Sequence, residues 1–209
     1  MKKIITYLFL FFFLQNFAQE SAITTSNKTS SKTKNEFGFD GIWRLYPTSA
    51  KHFGNNAFAK AHEDGSSGLG TSFALLKYGN FRAGLAYELT KYSVSDVSKV
   101  GNFANSNNQT FTWFISYDYR LNKTFILVPN IGYGSSYVNQ RSKSKRFGHY
   151  SGNHFRLGVQ TDAELGTSVA VFVGIHCIST KYSIKTNAEF QDYFQKSQQI
   201  QLSFGLKIF

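Results

Sequence analysis

Eight alternating stretches of this chain are joined by links that go long, short, long, short, long, short, long. The short links are Gly79-Asn80, Leu121-Asn122-Lys123 and Leu165-Gly166-Thr167, and the long ones run over 47–68, 95–108, 140–153 and 183–197. A soluble sandwich has no reason to put every tight turn at one end and every long link at the other. A sheet closed into a barrel and threaded through a membrane does, because its strands join through short inner turns and project longer loops outward.

The stretches themselves alternate with period two. Phe37, Phe39, Gly41, Trp43 and Leu45 share one face of the first, and Gly38, Asp40, Ile42, Arg44 and Tyr46 share the other. The third sets Phe81, Ala83, Leu85, Tyr87 and Leu89 against Arg82, Gly84, Ala86, Glu88 and Thr90. Similar faces recur over 110–121, 155–165 and 200–208, and less cleanly over 69–78, 125–128 and 169–178. Each run has about ten residues or slightly more, the length a tilted strand needs to cross a bilayer. The adjacent pair Leu75-Leu76 breaks the alternation, and Pro129 predicts a bulge or bend because it cannot donate to a ladder.

The polar face carries Asp40, Arg44, Arg82, Glu88, Asp118, Arg120, Arg156, Asp162 and Glu164. A lipid-facing Arg or Lys at the midplane costs roughly 2–4 kcal/mol. Inside a narrow lumen the same groups can pair with one another. Eight strands enclose a space that side chains just fill, so the expectation is a plugged, ion-paired interior. Aromatic belts are expected at both interfaces. Phe37, Tyr78, Phe81, Tyr119 and Phe125 fall at the inner rim, and Trp43, Tyr92, Phe111, Trp113, Tyr137 and Phe155 toward the outer one.

At the N-terminus, Lys2 and Lys3 precede the apolar run Ile4–Phe13, and Ala18 closes a cleavage site. This pattern reads as a secretory signal peptide over 1–18, too short to span a bilayer as a helix. Residues 19–36 are rich in Ser, Thr, Lys and Asn without apolar periodicity and read as a disordered linker, leaving 37–209 as the barrel domain. The hydrophobic fraction of 42% and mean hydropathy of −0.27 look soluble, but in a barrel only every second residue meets lipid. One cysteine, Cys177, excludes an internal disulfide framework. The net charge of +11 falls to +9 when Lys2 and Lys3 are removed. For an exported chain that charge points to an anionic surface rather than to nucleic acid.

With the alternating strands, the leader and the ending QLSFGLKIF in place, the chain resembles small outer-membrane β-barrel proteins of the OmpA/OmpX type. Among them it resembles the porin-family outer membrane β-barrel domain proteins of Gram-negative bacteria. The resemblance covers 37–209. It implies an eight-stranded antiparallel up-and-down transmembrane barrel in the outer membrane, monomeric, without cofactor or metal. In the terminal stretch Phe209 is out of step with Ile208, Leu206 and Phe204, and Lys207 stands where an apolar residue is common.

Sites of chemistry are sparse. His149-Tyr150-Ser151 with Glu164 is similar to the His-x-Ser and later Glu of outer-membrane lipid A deacylases, in which the His activates the Ser. Ser151 and Glu164 would, however, lie about a strand length (~30 Å) apart. The five histidines have no metal-ligand spacing. Arg141, Lys143, Lys145 and Arg146 form the densest basic cluster, placed on an outer loop where they can meet lipopolysaccharide phosphate. The sequence therefore predicts a non-catalytic barrel whose outer loops bind lipopolysaccharide, a surface or an envelope protein. A narrow small-solute channel is the alternative, and a lipid A-modifying enzyme a more remote one.

Overall fold

A computed structural model describes residues 36–62, 65–100, 104–142 and 145–209, without the side chains of 99–100 and 145–147. The expected signal peptide 1–18, and the expected linker 19–36 apart from Glu36, lie outside the described residues.

Eight strands close into an all-antiparallel barrel. They are β1 (Phe37–Phe53), β2 (Ser67–Tyr78), β3 (Phe81–Ser93), β4 (Asn105–Tyr117), β5 (Phe125–Ser142), β6 (Lys145–Glu164), β7 (Val169–Tyr182) and β8 (Lys196–Ile208). The short segment Tyr119–Arg120 continues β4 beyond Asp118. Each strand pairs with the next, and β1 pairs with β8 to close the ring. Up-and-down order with hairpin neighbours leaves no free sheet edge around the wall.

The alternation becomes an apolar outside and a polar inside. Trp113, Ile115, Leu157, Val173, Leu202 and Phe204 are each more than half exposed, whereas Arg44, Glu88, Arg156, Asp162, Gln201 and Lys207 are buried. Only a lipid surround makes that inversion favourable, since in water the same wall would be one continuous apolar patch. No helix among the described residues is long and apolar enough to cross a membrane.

Local departures have local causes. Gly41, at φ +73°, supplies the extra residue of a bulge between Phe39 and Ile42. Leu75 is the extra residue of a second bulge opposite Ala83 and Gly84, which accounts for the adjacent Leu75-Leu76 pair. Gly79, at φ +58°, makes the two-residue turn between Tyr78 and Phe81.

Pro129 makes no bulge. The ladder to β4 skips from Ser116↔Asn130 to Tyr119↔Leu127 with the register unchanged, so the step facing Pro129 is unpaired. The Asp118 N–H donates instead to the Asn80 carbonyl (2.9 Å), and Asn130 Nδ2 donates to the Val128 carbonyl (3.3 Å). Pro47 is absorbed the same way: β1 keeps its register with β8 across an unpaired step between Leu45↔Leu206 and Thr48↔Ser203.

The short turns lie at one end and the long links at the other, but two of the long links are not open loops. β1 runs past Pro47 to Phe53 because Thr48, Ala50 and His52 keep the inward alternation. The link expected over 140–153 is instead a continuous hairpin, its strands β5 and β6 having 18 and 20 residues and paired as far as Ser142↔Lys145. The remaining outer links carry the short helices α1 (Ala57–Ala61), α2 (Val97–Val100) and α3 (Gln191–Gln195), the last preceded by a 3-10 turn at Ala188–Phe190.

Most belt aromatics lie on the outer wall, including Phe37, Tyr78, Phe81, Tyr119 and Phe125 at the short-turn end and Trp43, Trp113 and Phe155 further out. Tyr92 does not. It stands an odd number of residues from Leu89 and so points inward, where it is 1% exposed.

Candidate functional site: the lumen and its outer mouth

Polar side chains fill the lumen in successive layers. Nearest the short turns, Arg82 bridges two carboxylates, its Nη1 meeting Asp40 and its Nε donating to Asp118 Oδ2 at 2.8 Å. In the next layer Asp162 Oδ2 accepts from Lys207 Nζ (2.7 Å) and from Arg44 Nη2 (3.2 Å). Above it Glu88 is the hub. Its Oε1 takes Arg156 Nη1 at 2.7 Å and the Tyr46 hydroxyl at 2.9 Å, and its Oε2 takes Gln201 Nε2 at 3.1 Å. The Tyr46 ring has room because Gly70 faces it, where a Cβ would come within 2.3 Å of Tyr46 Cε2. Higher still, the two ring nitrogens of His154 meet Thr112 Oγ1 (2.8 Å) and Ser136 Oγ (3.1 Å).

Seven of the nine charged residues singled out in the sequence therefore lie in three buried groups. Arg120 and Glu164 do not join them. They form a two-pronged pair at the short-turn rim (2.8 and 2.9 Å), with the Arg120 side chain 55% exposed. Lys207, Tyr46, Gln201 and His176 complete the network. Parity alone assigns all four to the inner face.

A short helix is seated in the outer mouth. Asn56 Oδ1 caps α1 by accepting from the Ala59 N–H (2.9 Å), and Ala57, Phe58 and Ala61 turn into the barrel. The Phe58 ring stacks on Tyr182 (centroids 5.2 Å apart) and on His62 (4.9 Å), and meets Tyr150 edge-on at 6.1 Å. His62 Nδ1 donates to the Phe58 carbonyl (3.0 Å), leaving Nε2 to accept from Ser106 Oγ (2.8 Å). Burial at this mouth pulls the His62 pKa below its ordinary value, against a smaller upward effect of the Phe58 carbonyl. Between mouth and turns, a cavity of about 20 Å³ is walled by Arg44, Tyr46, Phe114, Ser116, Arg156 and His176 among others. That is room for about one water-sized particle.

The deacylase-like trio does not assemble. His149 and Ser151 are exposed on the outer side of β6, Tyr150 between them packs inward against Phe58 and Tyr182, and the Glu164 carboxylate is held by Arg120 at the far end of the same strand. Among the described residues no group of three or more His, Cys, Asp or Glu could hold a metal ion. In the basic cluster Arg141 stands opposite Arg146 on the β5–β6 hairpin, while the side chains of Lys143, Lys145 and Arg146 lie outside the described residues.

No family model matches the chain, and no curated protein does. Among solved structures it is similar to Neisserial surface protein A, at 10% identity over 82% of this chain and 98% of that one, with a TM-score of 0.58. AlkL in lipid bilayers aligns over 90% of this chain and 97% of its own at 12% identity (TM-score 0.46). Ail of Yersinia pestis aligns over 80% and 99% at 11% identity (TM-score 0.44). The first of these carries the fold comparison. Joined to the apolar wall and the filled polar interior, it makes the chain a small eight-stranded β-barrel of the outer-membrane type.

Proposed function

We propose that this protein is a non-catalytic outer-membrane barrel that acts through its outward-facing hairpin and loops, its lumen being a closed structural core. The observation that carries the reading is the lumen itself: three buried ion-pair groups, a cavity of about 20 Å³, and α1 seated in the mouth. An interior packed in this way supports a sealed wall over a small-solute channel. The β5–β6 hairpin, which has the longest strands of the barrel, carries the contact surface.

Arg141, Lys143, Lys145 and Arg146 at the hairpin end are assigned to the phosphates of lipopolysaccharide. Arg141 and Arg146 are register partners on the hairpin, so two basic residues occupy paired positions, an arrangement that favours a counter-anion. Binding of the folded barrel to lipopolysaccharide vesicles tests the reading. Replacing all four basic residues with Gln is expected to weaken binding about tenfold or more and to flatten its salt dependence. Unchanged binding would remove the assignment.

A further inference from the structure

The cavity in the lumen has more donors than water can satisfy. Four polar atoms of its lining residues have no protein partner: Arg44 Nε, Arg156 Nε, His176 Nε2 and Ser116 Oγ. The first two are N–H donors by constitution. The third is fixed by its neighbour. Arg156 Nη2 lies 3.1 Å from His176 Nδ1, and since a guanidinium only donates, Nδ1 accepts and the neutral ring carries its proton on Nε2. Three obligate donors and one hydroxyl therefore belong to side chains that wall a space of about 20 Å³. A water oxygen offers two lone pairs, so a single water leaves at least one buried N–H unpaired, which is unfavourable. A spherical anion accepts from all of them.

The charge distribution points the same way. Two arginines and no carboxylate line the cavity. Arg156 is matched by Glu88, but Arg44 shares the single carboxylate of Asp162 with Lys207, leaving that layer one positive charge in excess. The compensating excess of negative charge, on Asp40 and Asp118 around Arg82, lies nearer the short turns.

We propose that the lumen cavity is a binding site for one small monovalent anion of the halide class, held by Arg44, Arg156, His176 and Ser116. The proposal rests on the sealed-lumen reading only in that the cavity is not part of a through-channel. The bound ion locks the two arginine layers to each other and is part of the folded core, not a transported solute.

The test uses the full barrel folded in detergent micelles, with bromide and chloride as probes. Crystals grown in bromide are expected to show an anomalous peak within hydrogen-bond distance of Arg44 and Arg156. At constant ionic strength, replacing chloride with gluconate, which is too large to enter, is expected to shift the unfolding equilibrium about tenfold toward the unfolded chain. Ser116→Ala, which removes a donor without adding bulk, is expected to reduce that dependence. Ala86→Leu, which fills the lining with an apolar side chain, is expected to abolish it. An ordered water without anomalous signal, or equal stability in the two salts, overturns the proposal. A barrel that passes ionic current yet shows the bromide peak overturns the sealing alone, and one that passes none and shows no peak overturns the anion site alone.

Discussion

Lys207 Nζ lies 2.7 Å from Asp162 Oδ2, and neither side chain reaches solvent. Arg44 Nη2 shares that oxygen at 3.2 Å, so a single carboxylate anchors two cations from β1 and β8, the strands that close the barrel. Asp162→Asn leaves both cations buried without their counter-charge, and the folded barrel should lose about 3–5 kcal/mol. Lys207→Met leaves the Arg44–Asp162 pair intact and should cost much less. Urea unfolding of both variants in micelles checks this, and equal losses would contradict a shared anchor.

Glu88 holds Arg156, Tyr46 and Gln201 at once. Glu88→Gln keeps the shape but strands the Arg156 guanidinium, with an expected loss of about 3–5 kcal/mol. The double variant Glu88→Gln/Arg156→Met removes the orphan charge and should recover a large part of it. A double-mutant cycle measures the coupling. Strict additivity would mean that the pair is not coupled.

Phe58 fastens α1 into the mouth through rings from three strands, Tyr92, Tyr150 and Tyr182. Phe58→Ala should release the plug while leaving the wall intact. Hydrogen exchange of the Ala57–Ala61 amides should then quicken about tenfold or more, with β2 and β3 unchanged. Equal exchange in the two proteins would show that the backbone, not this side chain, retains the helix.

The same plug should loosen in acid. His62 is buried against Phe58, His52, Tyr92 and Ser106, and its pKa in the folded protein lies below the ordinary 6.5. The unfolded chain therefore takes up a proton first as pH falls, so the contribution of neutral His62 is present above pH 6.5 and lost progressively below it. Hydrogen exchange at α1 should rise between neutral and mildly acidic pH, and His62→Gln should flatten that rise. A profile unchanged by the substitution would assign the effect to another group.

Period-two alternation made the wall legible in the sequence, because the same parity that puts Trp113 and Ile115 outward puts Thr112 and Phe114 inward. It also placed Arg44, Glu88 and Arg156 on one face, though not the pairs they make, since partners 68 and 118 residues apart depend on closure and tilt. Lys207 looked like a departure from an apolar ending, yet its parity is that of Gln201 and Ser203, and it belongs to the core. Tyr92 fits the belt by residue type, whereas its parity points inward. The plug was hidden because α1 has five residues, too few for a helical period to emerge. The end of the β5–β6 hairpin is hidden because residues 139–146 are polar throughout, so no alternation marks them as strand.

Ion pairs and a seated helix are proposed to close this lumen. Planar-bilayer recording of the purified, folded barrel tests this most directly. No steady current is expected at moderate voltage, and brief openings at most in Glu88→Gln, where the hub is broken. Steady ohmic currents from the unmodified protein, persisting with α1 in place, would contradict it.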